Sequence, residues 1–149
     1  MYTRILVPVD GSAPARRGLD EAIGLAERLG ASLHLIHVID ARMLISEASL
    51  AVPPAQVLDD WRDAGDTLVR QAVAHAQERG VVCEGAVRCD PGFRVFELIL
   101  KEATDCGAQL IVMGTHGRRG LQRLALGSDA EMVVRDSTVP VLLVRSADR

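Results

Sequence analysis

Short apolar runs alternate along this chain with longer stretches in which apolar residues recur every three or four positions. Ile5-Leu-Val-Pro-Val9 reads as a strand, broken by Asp10-Gly11-Ser12. Ser12 suits an N-cap and Pro14 a first helical turn. Leu19, Ala22, Ile23, Ala26 and Leu29 then follow helical spacing, with Gly30 as the stop. Leu33 to Ile39 is a second strand ending at Asp40. Residues 41 to 53 read as a loop, with a short helical turn as the alternative, and end in Pro53-Pro54. Val57, Trp61, Ala64, Leu68, Ala72 and Ala76 mark a long helix closing at Gly80. Val81 to Arg88 is a weaker third strand, and Phe93, Phe96, Leu100 and Ala103 mark a helix closing at Gly107. Leu110-Ile-Val-Met-Gly114 is a fourth strand, Ser128 to about Asp136 a fourth helix, and Pro140-Val-Leu-Leu-Val144 a fifth strand.

Strict alternation of strand and helix predicts an α/β fold, a doubly wound parallel sheet with helices on both faces. The apolar strands agree, because strands covered on both sides carry few polar positions. In open sheets of this kind ligands sit at the carboxyl ends of the strands, near the point where strand order reverses. Asp10, Asp40 and Gly114 fall at such ends, and Asp10 and Gly114 become neighbours if strands one and four flank that point.

The segment from Gly114 to Ser128 carries the most chemistry. A strand, a glycine-containing loop with Gly117, Gly120 and Gly127, a hydroxyl residue and a helix follow one another. Glycines let backbone N–H groups approach an anion, and a helix start favours negative charge. Arg118, Arg119 and Arg123 either grip phosphate or solvate the loop, and His116 either touches phosphate or faces solvent. Asp10 admits two readings, a turn residue or a ligand to ribose or to a phosphate-bound Mg²⁺. Asp40 reads first as a turn residue. Trp61 reads as core or as a partly covered helix face, not as a stacking platform.

Composition narrows the partners. The 149 residues suit one domain, 1–149, and 48% hydrophobic content with only 3% aromatics leaves Val, Leu, Ile and Ala to build the core. A net charge of −3 disfavours nonspecific contact with nucleic acid or an anionic membrane. No apolar run approaches the roughly 20 residues of a bilayer span. The chain enters a strand directly after Met1-Tyr-Thr-Arg4, without an apolar leader, so a cytoplasmic location is the default expectation. Cys83, Cys89 and Cys106 are odd in number and widely spaced, which fits reduced, mostly buried thiols better than a disulfide framework or zinc site. His34 and His37 lie three apart on a strand and therefore point to opposite faces, so one metal cannot take both. His75 is read as a surface residue. No metal ligand set and no catalytic residue is assigned. Neither a P-loop, nor G-x-G-x-x-G after the first strand, nor a G-x-S-x-G elbow is present, and the only lysine is Lys101. No base for phosphoryl transfer stands out.

Gly114-x2-Gly117-x9-Gly127-Ser128 resembles the glycine motif of the universal stress protein family, in its nucleotide-binding branch. Ile5-Leu-Val-Pro-Val-Asp10-Gly-Ser12, Leu35-Ile-His-Val38-Ile-Asp40 and Pro140-Val-Leu-Leu-Val144 are similar to the same family's strands. The resemblance implies a five-stranded parallel sheet in the order 3-2-1-4-5, a homodimer paired through the fifth strand, and an ATP-type ligand; the reading of the site residues adds Mg²⁺ to ATP. It implies that Pro8, Val9 and Asp10 line the nucleotide, that Val38 meets adenine through its backbone, and that Met113, Gly114 and Gly117 continue the wall. Gly127 and Ser128 would close over the phosphates. Asp129 departs from the small or apolar residue the family often carries there. It would repel phosphate, hold a bridging cation or face solvent in a first helical turn. An apolar fifth strand at a sheet edge also invites pairing with a second chain on physical grounds alone.

Three functions are therefore expected to compete: an ATP-binding regulatory protein of the stress response, a slow ATPase or nucleotidyl-transfer enzyme, and a nucleotide-free dimeric interaction module.

Overall fold

The computed structural model describes residues 1–43, 55–116 and 126–146. Within them run β1 (Arg4–Pro8), α1 (Ala13–Leu29), β2 (Ser32–Val38), α2 (Ala55–Glu78), β3 (Cys83–Arg88), α3 (Val95–Asp105), β4 (Leu110–Gly114), α4 (Ser128–Asp136) and β5 (Val141–Val144). The strands form one parallel sheet in the order β3-β2-β1-β4-β5. Strand order thus reverses between β1 and β4, where Ile5 lies opposite Leu110 and Leu6 opposite Ile111.

The two-residue period of the strands divides the core into two layers. Ile5, Val7, Leu33, Leu35, Leu110 and Val112 pack under Leu19, Ala22, Ile23 and Ala26 of α1 and Val69 and Ala76 of α2. Leu6, Ile36, Ile111 and Met113 face the other way, onto Phe96, Ile99 and Ala103 of α3 and Ala130 and Val133 of α4.

Local chemistry sets the helix ends. Ser12 Oγ accepts the N–H of Ala15 at 3.3 Å, and Gly30 ends α1 in the left-handed conformation at φ 65°. Ser12→Ala is expected to cost about 1 kcal/mol by leaving that N–H without its cap. In a chain of this size such a loss lowers Tm by roughly 2–4 °C. Thermal unfolding followed by circular dichroism measures it, and an unchanged Tm would show that the cap contributes nothing.

Three elements differ from the pattern-based expectation. Phe93 lies before α3 and is 41% exposed, because Asp90-Pro91-Gly92 forms a turn in which Gly92 N–H bonds Asp90 Oδ1 at 2.9 Å. The helix starts two residues later, with Glu97 Oε2 accepting the N–H of Arg94. Strand β3 begins at Cys83 rather than Val81, since its pairing with β2 starts opposite Leu33. The third difference concerns α2. Its core contacts run through Gly65, Val69 and Ala76, while Trp61 and Ala64 stay out of the core. The expected loop over 41–53 opens with a helical turn at 41–43, and its remainder lies outside the described residues.

Candidate nucleotide site at the strand ends

A cavity of about 500 Å³ opens at the carboxyl ends of β1, β2 and β4, where strand order reverses. That volume is within the usual range for small-molecule sites. Pro8, Val9 and Asp10 come from the end of β1, and Met113, Gly114 and His116 from the end of β4. Ile36, His37, Val38, Ile39 and Asp40 come from β2, and Gly127, Ser128, Asp129 and Ala130 from the start of α4. Trp61, Ala64, Gly65 and Leu68 of α2 form the remaining wall, and Trp61 and Ala64 stay out of the core.

Ten of the sequence-selected residues meet here: Pro8, Val9, Asp10, Val38, Met113, Gly114, His116, Gly127, Ser128 and Asp129. Gly117, Arg118 and Arg119, like Gly120 and Arg123, lie outside the described residues.

The start of α4 is built for an acceptor. Gly127 is its N-cap and supplies no side-chain oxygen to the first helical N–H groups. Its own N–H bonds Thr115 O at 2.8 Å, and Thr115 N–H bonds Val144 O at 3.0 Å, so the segment leaving β4 and the one entering α4 are tied together. Asp129 and Glu131 occupy the first turn, where acids favour the helix dipole. Asp10 Oδ1 accepts the N–H of Ser12 at 2.8 Å, and Asp40 Oδ1 that of Arg42 at 3.2 Å. Both carboxylates therefore close turns and line the cavity together. His116 Nδ1 lies 2.9 Å from Thr115 Oγ1, and its buried Nε2 has no hydrogen-bond partner among the described residues.

Gly114 has a second task that its sequence context hides. A β-carbon there would lie 2.6 Å from the carbonyl carbon of Pro14 and 2.9 Å from Ala15 N. On α1, a β-carbon on Gly18 would meet Gly114 N at 3.2 Å. The two glycines let α1 rest its backbone directly on β4, beside the cavity.

His34 and His37 point to opposite faces, and only His37 lines the cavity. His34 Nε2 lies 2.7 Å from Glu102 Oε1 and its Nδ1 3.1 Å from Glu84 Oε1, whereas His37 Nδ1 lies 2.8 Å from Val9 O. Among the described residues no group of three or more His, Cys, Asp or Glu could hold a metal ion. The cysteines are free. Cys83 is buried, which pushes its thiol up to about 11, with Glu84 adding to the rise, while Cys89 and Cys106 are half-buried. His75 sits on the surface, 2.9 Å from Asp20.

A sequence model of the universal stress protein family matches residues 1–145. The chain belongs to that family. Universal stress protein YxiE of Bacillus subtilis is 33% identical, over 97% of this chain and all of its own length. The structure of a universal stress protein family member from Burkholderia pseudomallei is 31% identical, with a TM-score of 0.79 over 97% of each chain. Hypothetical protein MJ0577 is 26% identical, with a TM-score of 0.85 over 100% of this chain and 99% of its own. Two more distant family structures, 22% and 21% identical, share the fold with TM-scores of 0.68 and 0.69. The first is in complex with cAMP and the second, from Archaeoglobus fulgidus, with dAMP.

Pattern reading missed His37, Gly65 and Trp61 as cavity residues of this universal stress protein. One signal was available. Glycine inside a helix costs roughly 1 kcal/mol against alanine, so Gly65 within α2 implied a close neighbour. A β-carbon there would come within 2.9 Å of His37 Cδ2.

Proposed function

We propose that this protein binds an adenine nucleotide, ATP with Mg²⁺ in the first instance, and acts as a regulatory member of the stress response rather than as an efficient enzyme. The observation that carries this reading is the cavity at the ends of β1 and β4, bounded by the glycine-capped start of α4. The base lies against Val38 and the apolar walls, and the phosphates run toward Gly127, Ser128 and the loop with Gly117, Arg118 and Arg119. Family members holding cAMP and dAMP support an adenine ligand and leave the phosphate count to experiment. A homodimer through β5 belongs to the same proposal: the strand is at the sheet edge, and Leu142 on it is 40% exposed. No described helix is long and apolar enough to cross a membrane, and the protein is proposed to act in the cytoplasm.

Charge makes the cation part of the proposal. Asp10, Asp40 and Asp129 line the cavity together with Ser128. A carboxylate and a phosphate charge 4 Å apart repel by about 1–4 kcal/mol between the water and protein-surface limits. Carboxylate and hydroxyl oxygens suit Mg²⁺, which joins a few protein oxygens to substrate phosphates. Removing Mg²⁺ with EDTA is therefore expected to weaken ATP binding about tenfold or more, since tenfold corresponds to about 1.4 kcal/mol. Isothermal titration calorimetry with ATP, AMP, cAMP and dAMP, with and without Mg²⁺, checks both statements. No heat and no thermal shift at millimolar nucleotide would overturn the nucleotide reading, and equal ATP affinity in EDTA would overturn the role given to the cation.

A further inference from the structure

The apolar layer under α3 and α4 contains residues of β1, β2, β4 and β5 but none of β3, the strand at the sheet edge. What joins α3 to β3 is a single carboxylate. Arg88 Nε donates to Glu102 Oε2 at 2.7 Å and Nη2 to Oε1 at 3.0 Å, a two-pronged contact that fixes direction as well as distance. From β2, His34 Nε2 meets the same carboxylate, 2.7 Å from Oε1. Apolar contact is non-directional, so Phe96, Ile99 and Ala103 hold α3 down without fixing its distance from the β3 edge.

Neither Arg88 nor Glu102 lines the cavity, yet each is tied to one of its walls. On α3, Val95 and Ile99 precede Glu102 by seven and three residues, which sets all three on one face of the helix. Val95 and Ile99 line the cavity. On β3, the backbone carbonyl of Arg88 accepts the N–H of Ile39 at 2.8 Å, and Ile39 lines the cavity beside Val38. Arg88 therefore holds one wall with its backbone and another with its side chain.

We propose that Arg88 is a positioning residue for the nucleotide cavity: through Glu102 it sets where the α3 wall stands relative to the β2 rim at Val38 and Ile39. The inference rests on the nucleotide reading above and adds to it a point of control outside the cavity. The Arg88 side chain is 47% exposed and that of Glu102 only 5%, so the clamp can be reached from the surface of β3.

Arg88→Met alone strands a buried charge, so a loss of binding in that variant would mix positioning with folding. The double variant Arg88→Met/Glu102→Gln separates them. It removes both charges, leaves His34 a polar partner and leaves no buried carboxylate short of its cation. Its Tm is expected to lie above that of Arg88→Met. Its Kd for ATP with Mg²⁺, by isothermal titration calorimetry, is expected to stay about tenfold weaker than wild type, within the range for residues that touch no ligand. Arg88→Lys keeps the charge without the fork and is expected to return affinity to within about threefold of wild type.

A second readout needs no nucleotide. The single tryptophan of the chain, Trp61, lines the same cavity from α2. Acrylamide quenching of its emission is expected to increase in the double variant, as the cavity loosens. Wild-type affinity in the double variant overturns the inference, as does affinity that merely follows Tm across the three variants, or quenching unchanged from wild type. A wild-type protein that binds no nucleotide removes the nucleotide reading, and the quenching comparison then decides by itself whether Arg88 positions the wall.

Discussion

Gly114→Val is expected to unseat α1 and to abolish nucleotide binding with it. A β-carbon at this position meets backbone atoms of Pro14 and Ala15 at 2.6–2.9 Å, and backbone cannot move aside as a side chain can. The helix has to lift from β4, opening the layer formed by Leu19, Ala22, Ile23 and Ala26. Overpacking of this kind costs about 1–3 kcal/mol where side chains can adjust, and the backbone contact sets the expectation at or above the upper end. For a chain of this size 3 kcal/mol corresponds to a fall of roughly 6–12 °C in Tm. Gly24→Ala, in the same helix, is the control. No atom lies within 4 Å of a β-carbon there, so the change is expected to stabilise the protein by up to about 1 kcal/mol. Thermal scans of the two variants decide the matter, and a Gly114→Val protein with unchanged Tm would show that α1 and β4 are not in backbone contact.

The second large effect is expected at Glu102, away from the cavity. This carboxylate on α3 is 4% exposed and is held from two sides. Arg88 donates to it twice, at 2.7 and 3.0 Å, and His34 meets it at 2.7 Å. His34 is itself 9% exposed and has Glu84 on its other nitrogen, and Arg4 lies 3.6 Å from Glu84, so a chain of polar contacts crosses β1, β2, β3 and α3. Burial pushes the Glu102 carboxyl up, but the hydrogen bonds from Arg88 and His34 together outweigh it and leave the group below the ordinary glutamate range. Arg88→Met leaves a buried carboxylate with one partner instead of two. Breaking a buried pair in this way costs about 3–5 kcal/mol, and the lower end applies because the Arg88 side chain is half exposed.

The direction with pH follows from linkage. A carboxyl depressed in the folded state binds fewer protons there than in the unfolded chain, so its stabilisation is complete above the ordinary glutamate value, about 4.3, and is lost as pH falls through the lower folded value. Urea unfolding of wild type and Glu102→Gln at neutral pH and near pH 3 tests this. The difference between the two proteins is expected to shrink in acid, and a difference that stays constant would show that the carboxylate charge contributes nothing.

Glu102 also shows where pattern reading stops. The helical pattern of Phe96, Leu100 and Ala103 assigns no role to Glu102. It is buried because β2 presents His34 and β3 presents Arg88 on the face that α3 crosses. The register Leu33 opposite Cys83 that aligns these strands is a tertiary fact. The cavity divides in the same way. Asp10, Gly114, Gly127 and Ser128 were legible because strand ends and a glycine-to-helix step carry their own local signature, and Pro8 and Val38 were named only through the family resemblance. His37 and Trp61 were not, because neither residue's immediate neighbours say which wall it joins.

From the sequence alone came the alternation of strand and helix, the parallel sheet, the cap at Ser12, the stop at Gly30 and the strand ends that border the cavity. Each of these follows from interactions within a few residues or from a periodicity along one element. The tertiary structure decided that α1 rests on β4 through Gly18 and Gly114, that the first half of α2 walls a cavity instead of a core, and that Glu102 is an interior charge. Those outcomes depend on contacts between residues far apart in the chain, whose cost and gain exist only once the sheet has brought them together.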